Sequence, residues 1–314
     1  MAIPPLVFHP DYTYPLPAGH RFPMGKFGRI REVLIEDGVA PAEVFVVPEP
    51  VSRATLEAAH TPAYVEAIVS LSLPRADERR LGLPLSEALV RRARAAVGGT
   101  ILTARLALER GLACNMAGGS HHAHPDHGAG FCVFNDVAVA VRALQNENRI
   151  GRVLVFDLDV HQGDGTAAFF ANDPSVFTCS IHCEANYPHV KGLSDLDLGL
   201  PPGTKDDAYL ALVRDTFETL LARVAPDLVF YNAGVDPHED DSLGQLALSD
   251  NGLMARDRHV IGTCLKAGVP LACVVGGGYG PDLDTLARRH STVHRAAIAL
   301  AAARADRPVA PAAA

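Results

Sequence analysis

Asp157, Asp159 and His161 stand two residues apart within residues 151–165, Gly-Arg-Val-Leu-Val-Phe-Asp-Leu-Asp-Val-His-Gln-Gly-Asp-Gly. In extended backbone, alternate side chains share a face, so this spacing turns two carboxylates and an imidazole to one side. Oxygen and nitrogen donors in that combination suit a divalent cation such as zinc. The apolar run 153–156 ahead of them has the length and composition of a buried parallel strand. Gly163 and Gly165 then break the strand and let the chain turn into a helix. Asp and His after a strand can equally serve as helix caps or turn residues. What favours a metal site is that other strand ends carry compatible groups.

Three further stretches do so. Residues 112–116 are strand-like and open into Gly118-Gly119-Ser120-His121-His122-Ala123-His124-Pro125-Asp126-His127-Gly128-Ala129-Gly130-Phe131-Cys132, a loop of four histidines hemmed by glycines. Residues 228–232 run into Ala-Gly-Val-Asp236-Pro-His, and 271–275 into Gly-Gly-Gly-Tyr279-Gly. Asp159, His161 and Asp236 would give zinc two oxygens and one nitrogen and leave a position for water. Such a cation lowers the pKa of water and polarises a carbonyl. His121 and His122 could serve as base, acid or electrostatic support, and an imidazole on a buried carboxylate is expected to have a fixed tautomer and a raised pKa. Tyr279 could donate its hydroxyl to a developing oxyanion. Together these groups describe metal-assisted hydrolysis of an amide. The glycines at 276–280 do not match a dinucleotide-binding fingerprint, and no P-loop signature is present.

The elements that must position these residues alternate along the chain. Strands are expected at 6–8, 43–47, 112–116, 153–156, 176–181, 228–232 and 271–275. Helices are expected at about 26–36, 62–72, 86–110, 135–146, 163–171, 206–224, 251–266 and 282–302, with Gly98-Gly99 a weak point in the third. Residues 74–84 read as a charged, proline-bounded loop that could border an active-site entrance, and 184–205 as a long loop. This is the pattern of an α/β, doubly wound, mainly parallel sheet flanked by helices, with its site at the carboxyl ends of the strands. One domain covers 1–303, and 304–314 is expected to be a disordered Ala/Pro tail.

Composition bounds the function. The 314 residues are 48% hydrophobic and 20% charged, as in globular proteins. A net charge of −8 argues against broad attraction to nucleic acid or acidic membranes. No apolar run reaches transmembrane length, and the N-terminus lacks the pattern of a leader. The six cysteines (114, 132, 179, 183, 264 and 273) lack Cys-x-x-Cys spacing and lie mostly in apolar runs, which fits reduced thiols in a cytoplasmic protein.

The motifs Gly-Gly-x-His-His, Gly-Phe-Cys-x-x-Asn-Asp, Asp-x-Asp-x-His-x-Gly-Asp-Gly, Asn-Ala-Gly-x-Asp and Gly-Gly-Tyr occur here in one order between about residues 5 and 300. In this the chain resembles the histone deacetylase family of the arginase–deacetylase fold. Gln162, residues 100–111 and Ser194-Asp195-Leu196-Asp197 resemble its class IV branch and bacterial relatives. The resemblance implies a zinc ion on Asp159, His161 and Asp236, with ferrous iron as the other candidate metal. It implies that His122, supported by Asp164, is general base and acid, that His121 pairs with Asp157, and that Tyr279 stabilises the oxyanion. Phe131 would wall a tunnel for the acyl-lysine stem, with Tyr187 opposite and Leu243 at the acyl end, while the Gly130 carbonyl takes the substrate amide. A potassium ion is implied on the backbone carbonyls of Asp157, Asp159, His161 and Ile181 and the Ser180 hydroxyl. The implied substrate is acyl-lysine in proteins or peptides, or a small acylated amine such as a polyamine. A binuclear manganese ureohydrolase and a non-catalytic acyl-lysine binding module are the rival readings, and oligomeric state is not legible.

Overall fold

The computed structural model describes residues 3–305. The first half holds β1 (Leu6–Val7), α1 (Lys26–Glu36), β2 (Phe45–Val46), α2 (Arg53–Glu57), α3 (Pro62–Val69), α4 (Arg75–Leu81), α5 (Glu87–Arg110), β3 (Leu112–Asn115) and α6 (Asp136–Asn146). The second holds β4 (Val153–Asp157), α7 (Asp164–Phe170), β5 (Val176–Cys183), β6 (Leu196–Leu200), α8 (Asp206–Val224), β7 (Leu228–Asn232), α9 (Asp250–Ala267), β8 (Leu271–Val274) and α10 (Leu283–Ala305).

The strands form one sheet in the order β2-β1-β3-β8-β7-β4-β5-β6, and every pair is parallel. Parallel pairing needs a crossover between strands, which sends helices to both faces and buries the sheet. The residues of β3, β4, β7 and β8 are accordingly all buried. These four are the central strands. The chain builds outward to β6 and then returns to insert β7 and β8 between β4 and β3, so chemistry from distant segments meets at one sheet edge.

Local chemistry sets the helix boundaries. Asn135, Ser86 and Ser249 accept the backbone N–H three residues on at the starts of α6, α5 and α9. Gly111 and Gly268 close α5 and α9 in the left-handed conformation. Helix α5 is continuous through Gly98 and Gly99, which are points of contact rather than weakness. A Cβ on Gly98 would strike the Glu49 carbonyl and one on Gly99 the Tyr12 hydroxyl.

Two loops of the sequence reading contain regular structure. Residues 74–84 carry α4, and 184–205 carry the edge strand β6. The short α2 has no counterpart in the sequence reading. Helix α10 runs to Ala305, so the expected tail begins inside the helix and otherwise lies outside the described residues. Among the described residues no helix is long and apolar enough to cross a membrane. All six cysteines are buried and unpaired.

Two buried histidines outside the group of Asp159, His161 and Asp236 make the fold acid-sensitive. His60 Nε2 accepts the Asn135 N–H at 3.0 Å, and its Nδ1 faces the His124 carbonyl at 3.1 Å, which suits a neutral ring. Burial lowers the pKa of His60 and of His294 to about 4. The unfolded chain binds these protons near the ordinary value of 6.5, so between pH 6.5 and 4 it holds more protons than the folded one. Stability therefore falls as pH falls through that window, by at most about 1.4 kcal/mol per pH unit for each histidine. The urea midpoint is expected to drop across the window, and a flat midpoint would contradict the assignment.

Candidate active site

Of the three spaced residues, only Asp157 belongs to β4; Asp159 and His161 project from the bend that follows. That bend lies beside the loop leaving β7, which brings in Asp236. His161 Nδ1 lies 3.0 Å from Asp159 Oδ1 and 3.1 Å from Asp236 Oδ2. One donor atom from each residue fits within 4.8 Å of the others, and all three residues are buried. Backbone N–H groups hold the carboxylates from behind, Val160 on Asp236 at 2.9 Å and Gly277 on Asp159 at 2.5 Å. Gly277 is required there, because a Cβ would strike Asp236 Oδ2. Burial, and then the charge of Asp159, raises the Asp236 pKa. Two carboxylates and one imidazole drawn together out of water fit a divalent cation in their charge and donor type.

The histidine loop leaves β3 and sits beside this group. His121 Nδ1 pairs with Asp157 Oδ2 at 2.7 Å, and Asn232 at the end of β7 donates to the other oxygen at 2.9 Å. His122 Nδ1 pairs with Asp164 Oδ1 at 2.6 Å, from the start of α7. The two rings lie 4.1 Å apart between centroids. Their environments divide them. Burial by itself would lower the His121 pKa, yet Asp157 and Asp159 outweigh it and raise it to about 9. Burial and then the neighbouring His121 lower that of His122 to about 4, against the pull of Asp164, so the rise expected of an imidazole on a buried carboxylate holds for His121 and fails for His122. His122 is thus the ring free to accept a proton at neutral pH.

Tyr279 arrives on the glycine-rich loop after β8. Its ring lies 6.2 Å from His161 and 6.1 Å from Phe131 between centroids. Burial, and then Asp159 and Asp236, raises its pKa, so it keeps its proton and remains a donor. His122, His161 and Tyr279 line a groove of about 440 Å³ together with Gly130, Phe131, Tyr187 and Leu243. Every residue named for the tunnel from the sequence therefore lies on it. Phe131 has φ +67, a backbone conformation rare for a bulky side chain. Its N–H donates to the Leu81 carbonyl at 2.8 Å, tying this wall to the end of α4.

The comparisons with known proteins bear on this arrangement. The histone deacetylase domain model matches residues 20–296. The chain belongs to the histone deacetylase family. It is 55% identical over 293 residues to an uncharacterized protein of a Picosynechococcus species, covering 93% of this chain and 98% of that one. It is 33% identical over 269 residues to histone deacetylase 2 of Arabidopsis thaliana, covering 83% and 70%. The crystal structure of an HDAC homolog from Aquifex aeolicus superposes with a TM-score of 0.79 at 23% identity, covering 94% of this chain and 84% of that one. That likeness concerns the fold.

Several residues of this family member support the site without having been read as functional. Lys26, buried in α1, donates to the carbonyls of Gly276 and Gly278 at 3.2 Å each and so holds the loop of Tyr279. Asp241 accepts the Tyr279 N–H at 2.6 Å. Asp136 accepts the N–H groups of Gly119 and Ser120 at 3.2 and 2.7 Å, fixing the start of the histidine loop. Asn186 donates to the Leu243 carbonyl at 2.7 Å, joining two sides of the groove. Gln162 bridges to Gly192 and Asp197, so it anchors the segment leading to β6. The motif Gly-Phe-Cys-x-x-Asn-Asp pointed toward Asp136. For Lys26 and Asp241 the sequence carries no such signal.

Proposed function

We propose that this protein is a zinc-dependent deacylase that hydrolyses the amide of N-acyl-lysine, acetyl or longer. The observation that carries the reading is the convergence of Asp159, His161 and Asp236 within 4.8 Å, with His161 and His122 both lining the groove. Those three residues would hold the cation, zinc or ferrous iron. When bound, it supplies Lewis acidity to the acyl carbonyl and lowers the pKa of the attacking water.

The chain's own residues carry the rest of the reaction. His122 Nε2 takes the proton of the attacking water, with Asp164 fixing the ring through Nδ1, and later delivers a proton to the leaving amine. His121, charged and held by Asp157, offsets the negative charge that develops nearby. The Tyr279 hydroxyl donates to the oxyanion. Phe131 and Tyr187 would flank the aliphatic stem, Leu243 the acyl end, and the Gly130 carbonyl would accept the substrate N–H. A potassium ion belongs to the same reading, on the backbone carbonyls of Asp157, Asp159, His161 and Ile181 and the Ser180 hydroxyl. The reading is supported for two of these residues, Asp157 and Ser180, which are partners in register on β4 and β5. A cytoplasmic setting is favoured by the buried, unpaired cysteines.

Among the described residues one group of three ligands is found, which favours a mononuclear centre over a binuclear ureohydrolase. The test is turnover on acetyl-, octanoyl- and myristoyl-lysine peptides beside acetylated polyamines. Release of the acyl group from a lysine peptide is expected. Hydrolysis of the polyamines alone would move the substrate to small amines, and binding without release would indicate a non-catalytic module.

A further inference from the structure

The groove that leads to His122 and Tyr279 opens through a cationic mouth. Arg21, Arg79 and Arg80 line it, and no carboxylate does among the described residues. The arginines are not incidental surface residues, because the backbone ties them to the tunnel wall. Arg79 and Arg80 sit in the last turn of α4. The Arg80 carbonyl accepts the Gly130 N–H at 3.3 Å, one residue before the Leu81 carbonyl takes that of Phe131. Gly82, which ends α4, packs so closely on the Phe131 ring that a Cβ there would lie 3.0 Å from it. His20 Nε2 meets the Gly82 carbonyl at 3.1 Å and its Nδ1 accepts the Phe22 N–H at 3.1 Å, which fixes Arg21 between them at the same rim.

The charges are also available. All three guanidinium residues are exposed. Arg80 is paired with Asp77 at 2.8 Å. Among the described residues, neither Arg21 nor Arg79 forms an ion pair or a side-chain hydrogen bond. The chain as a whole carries −8, so a positive rim at this one opening is a local departure from the protein's field. A cleft lined by one sign of charge focuses the potential and raises the local concentration of the opposite charge. Guanidinium groups bind carboxylates in bidentate geometry.

We propose that Arg21 and Arg79 select substrates with anionic groups next to the acyl-lysine, namely acidic side chains on the neighbouring residues of a peptide. This rests on the deacylase reading and deepens it. The acyl-lysine stem occupies the narrow part of the groove, and the flanking peptide residues then lie at the rim, within reach of the two free guanidinium groups.

The experiment compares kcat/KM on three acetyl-lysine peptides of equal length, flanked by Asp/Glu, by Ser/Gly or by Lys/Arg, in wild type, Arg79→Lys and the double variant Arg21→Gln/Arg79→Gln. The acidic peptide is expected to exceed the basic one by on the order of 10-fold or more at low salt, mostly through KM. The ratio should shrink as ionic strength rises from about 0.05 to about 0.5 M. It should approach one in the double variant and be kept by Arg79→Lys, which retains the charge. Equal values, a preference for the basic peptide, or an acidic preference intact in the double variant would overturn the inference while leaving the deacylase reading in place. A free acetylated amino acid with its own carboxylate, turned over faster than all three peptides, would place the anion on a small molecule and also overturn it. Absence of turnover on every substrate would remove the deacylase reading itself.

Discussion

Replacing His122 with alanine is expected to lower kcat on an acyl-lysine peptide by about 10² to 10⁴-fold, the range for loss of a positioned general base and acid. The size of the effect follows from how the ring is held. It is buried, its Nδ1 is fixed by Asp164 at 2.6 Å, and the residue lines the groove. Burial and the adjacent His121 keep its pKa at about 4, so at neutral pH the ring is ready to take a proton. The adjacent His121, by contrast, is raised to about 9 and is already charged. KM should change less than kcat, because the ring is needed in the transition state rather than for ground-state binding. The metal content of the variant should match the wild type, since His122 is outside the ligand group. An alanine variant with undiminished kcat would remove His122 from the chemistry and shift the role to His121.

Tyr279→Phe should cost about 10² to 10³-fold in kcat, as the loss of one oxyanion donor does. The substitution is clean here. The Tyr279 ring packs among Phe22, Phe131 and His161, and the loop is positioned through its backbone, by Asp241 on the Tyr279 N–H and by Lys26 on the flanking carbonyls. Phenylalanine keeps that packing and loses only the hydroxyl, so unfolding midpoints should barely move while turnover falls. Steady-state kinetics beside a denaturant titration separate the two. Undiminished turnover in Tyr279→Phe would contradict the proposed role, and a large loss of stability would mean that the hydroxyl supports the fold.

The parts of this molecule that were legible in its sequence are those where short-range spacing equals spatial arrangement. The two-residue steps from Asp157 to His161 are an example in part, because Asp159 and His161 stand in a bend and not in extended strand. The adjacent pair His121-His122 is a full one. So are the strand ends before Asp236 and Tyr279, because central parallel strands announce themselves as apolar runs. Strand β6 was missed because Leu-Asp-Leu-Gly-Leu sits at the sheet edge, pairs only with β5, and is only partly buried. Helix α4 was missed because only Leu81 of its seven residues is buried, so no amphipathic stripe marks it. Its charged character was nonetheless the clue to the entrance. Lys26 was illegible for another reason: its partners lie 250 and 252 residues away, joined only by packing of α1 against the carboxyl edge. A lone lysine in an N-terminal helix gives no sign of such contacts.

The most direct test of the account is turnover of an acyl-lysine peptide by the purified protein, measured together with its metal content, before and after chelation and on return of zinc. One divalent ion per chain is expected, with hydrolysis that disappears with the chelator and recovers on adding zinc. Hydrolysis that persists in protein shown to be free of metal would contradict it, as would two metal ions per chain.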